Sequence, residues 1–156
     1  MADERPLTAG EWSVLGLLSE APAHGWALSV ALGPDGTIGS IWSLTRPLVY
    51  RALEILELRG LIESSGQASS ARGPSRNVFR PTRQGRASVQ RWLDEPVEHI
   101  RDMRPDLLLK LAFLRRGGGD TRLLLDAQRA RLEELLDVLE AQIDDLPLEQ
   151  ELVVRF

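Results

Sequence analysis

"TRPLVYRALEILELRGLIESS", residues 45–65, contains signals for the start of a helix, for its end and for a following strand. It opens with Thr45, a residue type that favours the position before a helix, and Pro47 suits a first helical turn because its missing N–H would have no partner there. Gly60 favours the left-handed backbone that ends a helix. The stretch therefore predicts a helix over residues 46–59, followed by a strand that starts within "LIESS".

The predicted helix has two faces. The apolar face, which we expect the domain to bury, consists of Leu48, Val49, Ala52, Leu53, Ile55 and Leu56. The other side carries polar side chains at helical spacing, namely Arg46, Tyr50, Arg51, Glu54 and Glu57. Basic and aromatic side chains thus cluster in the N-terminal half, which is the half that a recognition helix offers to DNA. The candidate DNA contacts are Thr45, Arg46, Tyr50 and Arg51, with half-buried packing as an alternative role for Tyr50.

Two further helices are predicted before this segment. Thr8 and Glu11 have the spacing of a capping box, and apolar residues recur at helical period up to Glu20. After the turn "APAHG", residues 26–32 are predicted to form a second, shorter helix that a Gly-Pro pair ends. The turn-rich segment "PDGTIGSIWS" contains at most a short strand, at residues 38–42.

A β-hairpin is predicted after the helix. Its strand candidates are "LIESS" and "NVFRP", and the polar loop "GQASSARGPSR" joins them. Pro81 lacks the N–H that a strand ladder needs, so the second strand is expected to be short or at an edge. Three helices and a hairpin in this order predict a winged helix-turn-helix, in which the third helix enters the major groove and the wing contacts phosphates or the minor groove.

The net charge of −4 argues against a nucleic-acid partner, but the charge is unevenly distributed. Residues 40–94 contain nine basic and four acidic side chains, whereas both flanking parts are acidic. Residues 64–93 contain six arginines and no acid, as expected of a phosphate-binding face. Arg72, Ser75 and Arg76 at the predicted hairpin tip are candidate DNA contacts. A solvated surface that reflects an arginine-rich composition is the alternative.

Composition excludes several kinds of site. The 156 residues include no cysteine and only two histidines, His24 and His99, so disulfides, thiolate catalysis and a metal site are not expected. No phosphate-binding glycine loop, nucleophile elbow or carboxylate-histidine pair occurs, so we expect neither an enzyme nor a cofactor. We expect no signal peptide, because the N-terminal residues contain no apolar core segment, and no membrane span, because no apolar run is long enough. A cytoplasmic protein is expected.

Five short motifs occur in order along the chain. They are "HGWAL" at residues 24–28, "VYRAL" at 49–53, "LELRGLI" at 56–62, "FRPTRQGR" at 79–86 and "DLLLKLAF" at 106–113. Together they resemble the motifs of the PadR-like transcriptional regulators. Trp26 stands where that family usually has tyrosine, which is expected to alter packing between the second and third helices, and Pro81 stands where leucine is common. The resemblance implies operator DNA as a partner and a homodimer joined through C-terminal helices.

The C-terminal part is predicted to be helical. Helices are expected over residues 83–94, 105–116 and 121–146, the last two separated by "GGGD". The final helix carries a coiled-coil-like apolar stripe, whose candidate dimerisation residues are Leu125, Leu132, Leu136, Leu139 and Ile143. The stripe either packs against the preceding helix or pairs with a second copy, which is favoured because operators usually contain two half-sites. No role is indicated for residues 147–156.

Two ring-bearing residues are candidates for a ligand or for chemistry. Trp92 offers a large stacking surface, and the resemblance implies that it can face a dimer cavity that binds a small aromatic effector; core packing or a dimer contact is the alternative. His24 stands at no fixed spacing from an acid or a cysteine, so it is interpreted as a turn or packing residue without a catalytic role.

These patterns predict a mainly α fold with a small β-hairpin (α+β). A winged helix-turn-helix DNA-binding domain is expected in residues 1–94 and a C-terminal helical dimerisation region in residues 95–156. The predicted function is a sequence-specific DNA-binding transcriptional regulator, a repressor that acts as a homodimer and that a small molecule releases. The alternative is a winged-helix module that binds proteins, whose binding would ignore salt, whereas phosphate-driven binding falls as salt rises.

Overall fold

A computed structural model describes residues 5–68 and 76–144 of the chain. Within this part the chain forms six α-helices and three strands. In chain order they are α1 (Ala9–Glu20), β1 (Ala23–His24), α2 (Gly25–Ala31), α3 (Arg46–Leu58), β2 (Ile62–Ala68), β3 (Arg76–Pro81), α4 (Arg83–Asp94), α5 (Met103–Arg116) and α6 (Thr121–Asp144), with a 3-10 turn at Ile100–Asp102 before α5. This architecture confirms the predicted mainly helical fold with a small hairpin.

The first three helices share one core. Helices α1 to α4 and the sheet together form the head of the protein. α1 buries eight of its 12 residues and so lies at the centre of this head. Val14 and Leu15 of α1 belong to the same buried cluster as Leu28 of α2. α3 joins this cluster through a single face, formed by Val49, Ala52, Leu53 and Leu56. The opposite face of α3 is therefore left outside the head.

The three strands form one antiparallel sheet in the order β1-β3-β2. The sequence predicts only a turn before α2, but the two residues of β1 pair with Phe79 and Val78 of β3. β3 is thus a central strand of six residues, and the prediction that Pro81 would make it short or an edge is wrong. Pro81 is tolerated because it is the last residue of β3, where the ladder ends.

The segment between α2 and α3 consists of turns. Residues 32–42 form turns and bends, so the strand predicted at residues 38–42 is wrong. The N–H groups of Ile38 and Gly39 both donate to the carbonyl oxygen of Ala31 at 3.1 Å, and the N–H of Trp42 donates to the carbonyl oxygen of Ile38 at 3.0 Å. These local hydrogen bonds use the donors that a strand would offer to a sheet.

Capping residues explain where the helices begin. The Thr82 hydroxyl accepts a hydrogen bond from the N–H of Gly85 at 3.1 Å and so starts α4. At the start of α1, the Thr8 hydroxyl accepts from the N–H of Glu11, and the Glu11 carboxylate accepts from the N–H of Thr8. This is the predicted capping box. α3 and α4 begin at the predicted residues, whereas α2 begins one residue earlier and α5 two.

The carboxylate of Glu11 is buried at this cap. Burial raises the pKa of Glu11. Hydrogen bonds from the Arg5 guanidinium and from the Thr8 N–H, together with the charge of Arg5, lower the pKa by more than burial raises it, so the pKa lies below its usual value. The Arg5 Nη1 and Glu11 Oε2 atoms are 2.9 Å apart. The ionised carboxylate therefore stabilises the folded head above the unfolded-state pKa, and this stability is lost as the pH falls through the folded-state value.

We expect Glu11→Gln to lower the free energy of unfolding by about 1 kcal/mol at neutral pH, because the amide keeps the cap but loses the charge-assisted hydrogen bonds. The difference from the wild type should shrink at an acid pH below the folded-state pKa of Glu11, where the wild-type carboxylate is protonated as well. Urea denaturation at both pH values measures it. Glu98→Gln, at an exposed position, is the matched control and should change neither value. An equal deficit for Glu11→Gln at both pH values would contradict the charge argument.

α5 joins the C-terminal part to the head through direct contact with α1. The Phe113 ring lies so close to Gly16 that a Cβ atom there would stand 2.6 Å from it. The Arg116 guanidinium donates two hydrogen bonds to the Glu20 carboxylate, at 2.7 and 2.6 Å. These contacts hold α5 against the head within one chain.

α6 is attached to the linker between α4 and α5 by a buried side chain. The Gln128 amide accepts a hydrogen bond from the N–H of Val97 at 2.6 Å and donates one to the carbonyl oxygen of Val97 at 3.0 Å. The predicted division into residues 1–94 and 95–156 therefore crosses packed contacts and stays a prediction. No helix in the described part of the chain is long and apolar enough to cross a membrane.

Candidate nucleic-acid interface

α3 begins where its sequence predicts. Thr45 occupies the N-cap with an extended backbone (φ −72°, ψ 154°), and Pro47 lies in the first turn. Gly60 has a φ of 68°, the left-handed backbone that ends the helix shortly after Leu58. Thr45 is exposed, and its side chain makes no capping hydrogen bond. Its hydroxyl is therefore available to a partner outside the protein.

Basic and aromatic side chains meet on the exposed N-terminal half of α3. The guanidinium carbon of Arg46 lies 5.7 Å from the centroid of the Tyr50 ring, within the range of a cation–π contact. Tyr50 is 40% exposed, so a packing role for its buried part and a DNA contact for its exposed part do not exclude each other. Arg51 is also exposed. Among the described residues, neither arginine pairs with a carboxylate.

Leu48 does not belong to the buried face of α3, and the prediction that it does is wrong. It is 49% exposed, whereas its neighbour Val49 is fully buried. Successive residues are about 100° apart around a helix. Val49 therefore packs in the core while Leu48 points away from it. Leu48 lines a shallow groove of about 400 Å³ together with Trp42 and Arg51. The exposed side of α3 therefore includes an apolar side chain beside its arginines.

A cleft of about 420 Å³ lies between α3, the start of α2 and β3. Arg46 and Tyr50 line it from α3, Trp26 from α2 and Asn77 from β3. The sequence assigns Trp26 to packing between α2 and α3, but the side chain is 49% exposed and lines the cleft. Trp26 and Asn77 are absent from the predicted site because no local pattern shows that three separate segments meet here.

His24 has the structural role that its sequence context predicts. Its Nδ1 atom accepts a hydrogen bond from the N–H of Ala27 at 3.0 Å and so caps α2. As a residue of β1, it also pairs with Val78. It therefore fixes the point where the strand becomes the helix. In the part of the chain that the structure describes, no group of three or more acidic or histidine side chains is placed to hold a metal ion.

The predicted wing contacts are only partly within the described residues. Arg72 and Ser75 lie outside them, and Arg76 is described only as the first residue of β3. Nearer the base of the wing, Arg80 of β3 pairs with Glu63 of β2, with Nε and Oε1 2.9 Å apart. The wing contacts stay a prediction, and Arg80 is partly neutralised by its neighbour.

Two arginines of the acid-free run, Arg83 and Arg86, lie far from the start of α3. Arg83, Arg86 and Arg91 are exposed on α4. The Thr82 hydroxyl, just before α4, donates to the carbonyl oxygen of Gly60 at 2.7 Å, which places the start of α4 at the C-terminal end of α3. Since α3 has 13 residues, that end is about 20 Å from Arg46. Arg83 and Arg86, near the start of α4, therefore lie at the opposite end of α3 from Arg46.

Trp92 lies in the packed junction between the head and α5. It is 7% exposed, and the Trp12 ring stacks on it with centroids 4.8 Å apart and planes 9° from parallel. The Lys110 ammonium lies 5.3 Å from the centroid of the Trp92 ring and donates to the carbonyl oxygen of Glu95. Burial lowers the pKa of Lys110, while the charges of Asp106 and Glu95 oppose this shift. In a single chain Trp92 is a packing residue, and its effector role stays a prediction.

The apolar stripe of α6 is mostly uncovered within one chain. Leu125, Leu136, Leu139 and Ile143 are 45 to 65% exposed, and Leu132 is half-buried. Leu124 and Gln128, on an adjacent face of α6, are buried against the rest of the chain. α6 therefore packs on its own chain through one face and presents the stripe on another.

The three-helix core, the three-stranded antiparallel sheet and the exposed face of α3 define a winged helix-turn-helix fold. Residues 14–91 match the model of the transcriptional regulator PadR-like family. This match covers half of the chain, and the chain belongs to that family. Family membership confirms the predicted resemblance, and this family is one of transcriptional regulators.

Two relatives illustrate the similarity. A Mycobacterium tuberculosis protein named "Probable transcriptional regulator Rv1176c" is 28% identical over 96 residues, which cover 62% of this chain and 49% of that protein. The chain thus spans about half the length of this curated relative. The crystal structure of Bacillus subtilis PadR, solved in complex with operator DNA, has a TM-score of 0.55 and 18% identity, over 97% of this chain and 84% of that one. At this identity the likeness shows a common fold.

Proposed function

We propose that the protein is a sequence-specific DNA-binding transcriptional regulator whose helix α3 enters the major groove. The observation that carries the proposal is the exposed group of Thr45, Arg46, Tyr50 and Arg51 on one half of α3. Both arginines lack a carboxylate partner in the described part of the chain, although the chain as a whole is acidic. The operator complex of the Bacillus subtilis relative supports the same partner.

The exposed residues suit different parts of a DNA duplex. Arginine binds the O6 and N7 atoms of guanine with two hydrogen bonds, which suits Arg46 and Arg51. Leu48 offers an apolar contact to a thymine methyl group beside them. The hydroxyl of Thr45 suits a phosphate, as do the predicted wing residues Arg72, Ser75 and Arg76.

The protein is proposed to act as a homodimer joined through the stripe of α6. Four large apolar side chains exposed on one helix face are expected to pair with a second copy, since one helix cannot bury them alone. A two-fold dimer would present two α3 helices to successive major grooves about 34 Å apart.

A repressor that acts in the cytoplasm, where operator DNA is found, is the proposed regulatory role. A small aromatic effector is proposed to release it by changing the spacing of the two heads. Trp92 is the proposed contact for this effector, which would have to displace Trp12 or Lys110 to reach the ring, because Trp92 is 7% exposed in a single chain. Reversal of DNA binding by an aromatic compound, with loss of the effect in Trp92→Leu, would test this part.

Selection from a random-sequence duplex library, followed by affinity measurements at about 50 and 200 mM salt, tests the central proposal. We expect enrichment of a sequence with two-fold symmetry, and an affinity that falls by about three orders of magnitude between the two salt concentrations. The reason is that arginines displace counterions from the phosphates. An affinity that does not change with salt concentration, or a selection that enriches no sequence, would contradict the proposal. Either result would favour a winged-helix module that binds proteins.

A further inference from the structure

The ring of Tyr50 rests directly on the start of α2. A Cβ atom at Gly25 would stand 2.8 Å from the Cε1 and Cζ atoms of that ring. Gly25 is buried. Among the described glycines, Gly60 and Gly118 have a φ in the left-handed region, and Gly25 does not. Close approach, and not backbone conformation, is therefore what requires a glycine at this position.

The position of Gly25 is fixed by the residue before it, His24. His24 pairs with Val78 in the sheet, and its Nδ1 atom caps α2. These two interactions fix the start of α2 relative to β3. The Tyr50 ring packs against this start and also lines the cleft between α2, α3 and β3. The ring cannot move toward α2, while its 40% exposed surface faces outward.

Arg46 uses this ring as its support. The two residues are four apart on α3, so their side chains are neighbours, and the guanidinium carbon is 5.7 Å from the ring centroid. Arg51 makes no ring contact or ion pair among the described residues. Of the two arginines proposed to contact bases, Arg46 alone has a described ring contact that restricts its orientation before DNA binds.

We infer that Tyr50 is a positioning residue that orients Arg46 to read a guanine, and that Gly25 sets the position of Tyr50. Two parallel hydrogen bonds to guanine O6 and N7 require one orientation of the guanidinium plane. A side chain that is already held loses less conformational freedom on binding, so the contact discriminates better between bases. This inference rests on the proposed function, and it assigns base reading to Arg46 and a less oriented contact to Arg51.

The test uses the duplex that the wild-type protein selects, with each guanine replaced in turn by 7-deazaguanine, which lacks the N7 acceptor. We expect one guanine per half-site at which this change weakens wild-type binding about 10-fold. Arg46→Ala should show no such penalty there. Tyr50→Phe keeps the ring and should keep the penalty. Tyr50→Leu keeps an apolar side chain but removes the π face, and it should reduce the penalty to about 2-fold or less.

Gly25→Ala should resemble Tyr50→Leu, because the added Cβ displaces the ring, and thermal unfolding will show whether this variant folds. If it does not, the two Tyr50 variants carry the test, since Tyr50 is 40% exposed. A full 7-deazaguanine penalty in Tyr50→Leu would overturn the positioning role. A wild type that binds specifically but shows no position dependent on Arg46 would also overturn it, whereas a wild type that selects no sequence refutes the proposed function instead.

Discussion

Replacing Arg46 and Arg51 together with alanine is expected to weaken operator binding about 100-fold or more and to abolish the preference for the selected sequence. Each arginine is exposed on the N-terminal half of α3 without a described carboxylate partner. A bidentate arginine contact to guanine contributes about 1 to 3 kcal/mol of discrimination, so the loss of the Arg46 contact in both half-sites, together with the charge of Arg51, is a large effect. Fluorescence anisotropy with the selected duplex and with a scrambled one measures both affinity and preference.

Arg83→Ala with Arg86→Ala is the matched control. The double variant removes the same charge from the same head, but its two positions lie on α4 near the C-terminal end of α3. We expect a loss of less than about 10-fold, with the sequence preference intact, because only long-range attraction for phosphate is reduced. Equal losses in the two double variants would mean that overall charge, and not α3, governs binding.

Replacing Leu136 and Leu139 together with aspartate is expected to convert a dimer into a monomer and to weaken operator binding at least about 100-fold. Both side chains are about half-exposed in one chain, so the substitutions should leave the fold of the chain intact. In a dimer they would bury carboxylates in an apolar interface, which is strongly unfavourable. A monomer then loses the second half-site and its contribution to affinity. Sedimentation analysis and binding to the selected duplex measure the two effects.

Leu123→Asp is the control for this experiment. Leu123 is 71% exposed on the same helix, and helical periodicity places it on the side opposite the stripe. It should remain dimeric and bind DNA like the wild type. If the double variant also remained dimeric, the stripe of α6 would not be the interface. If a monomeric double variant bound the operator as tightly as the wild type, the dimer would not be needed for recognition.

Features that depend on a few neighbouring residues were predictable from the sequence. The capping box of Thr8 and Glu11, the cap at Thr82 and the stop at Gly60 each act through hydrogen bonds or backbone conformation within four residues. They place the helix ends and hence the order of elements that indicates a winged helix-turn-helix. The exposure of Arg46 and Tyr50 follows from the same periodicity, since the apolar residues of α3 define which side is buried.

Features that depend on partners far along the chain were not predictable. β1 has two residues, too few for any periodicity, and exists because β3 lies beside it. The central place of β3, despite Pro81, has the same origin. Leu48 carries the apolar character of a core residue but lies just beyond the area that the core covers. Trp92 and Trp12 are 80 positions apart, and only the docking of α4 on α1 stacks their rings.

Local spacing and composition are sufficient to identify the family, the starts of α1, α3 and α4, and the pair of exposed arginines on α3. The tertiary structure is needed to show that the Tyr50 ring lies against Gly25, that Trp26 and Asn77 share a cleft with Tyr50 and Arg46, and that Arg83 and Arg86 lie near the other end of α3. These relations join segments separated by 20 or more residues, and their geometry comes from how the core packs the helices and the sheet together.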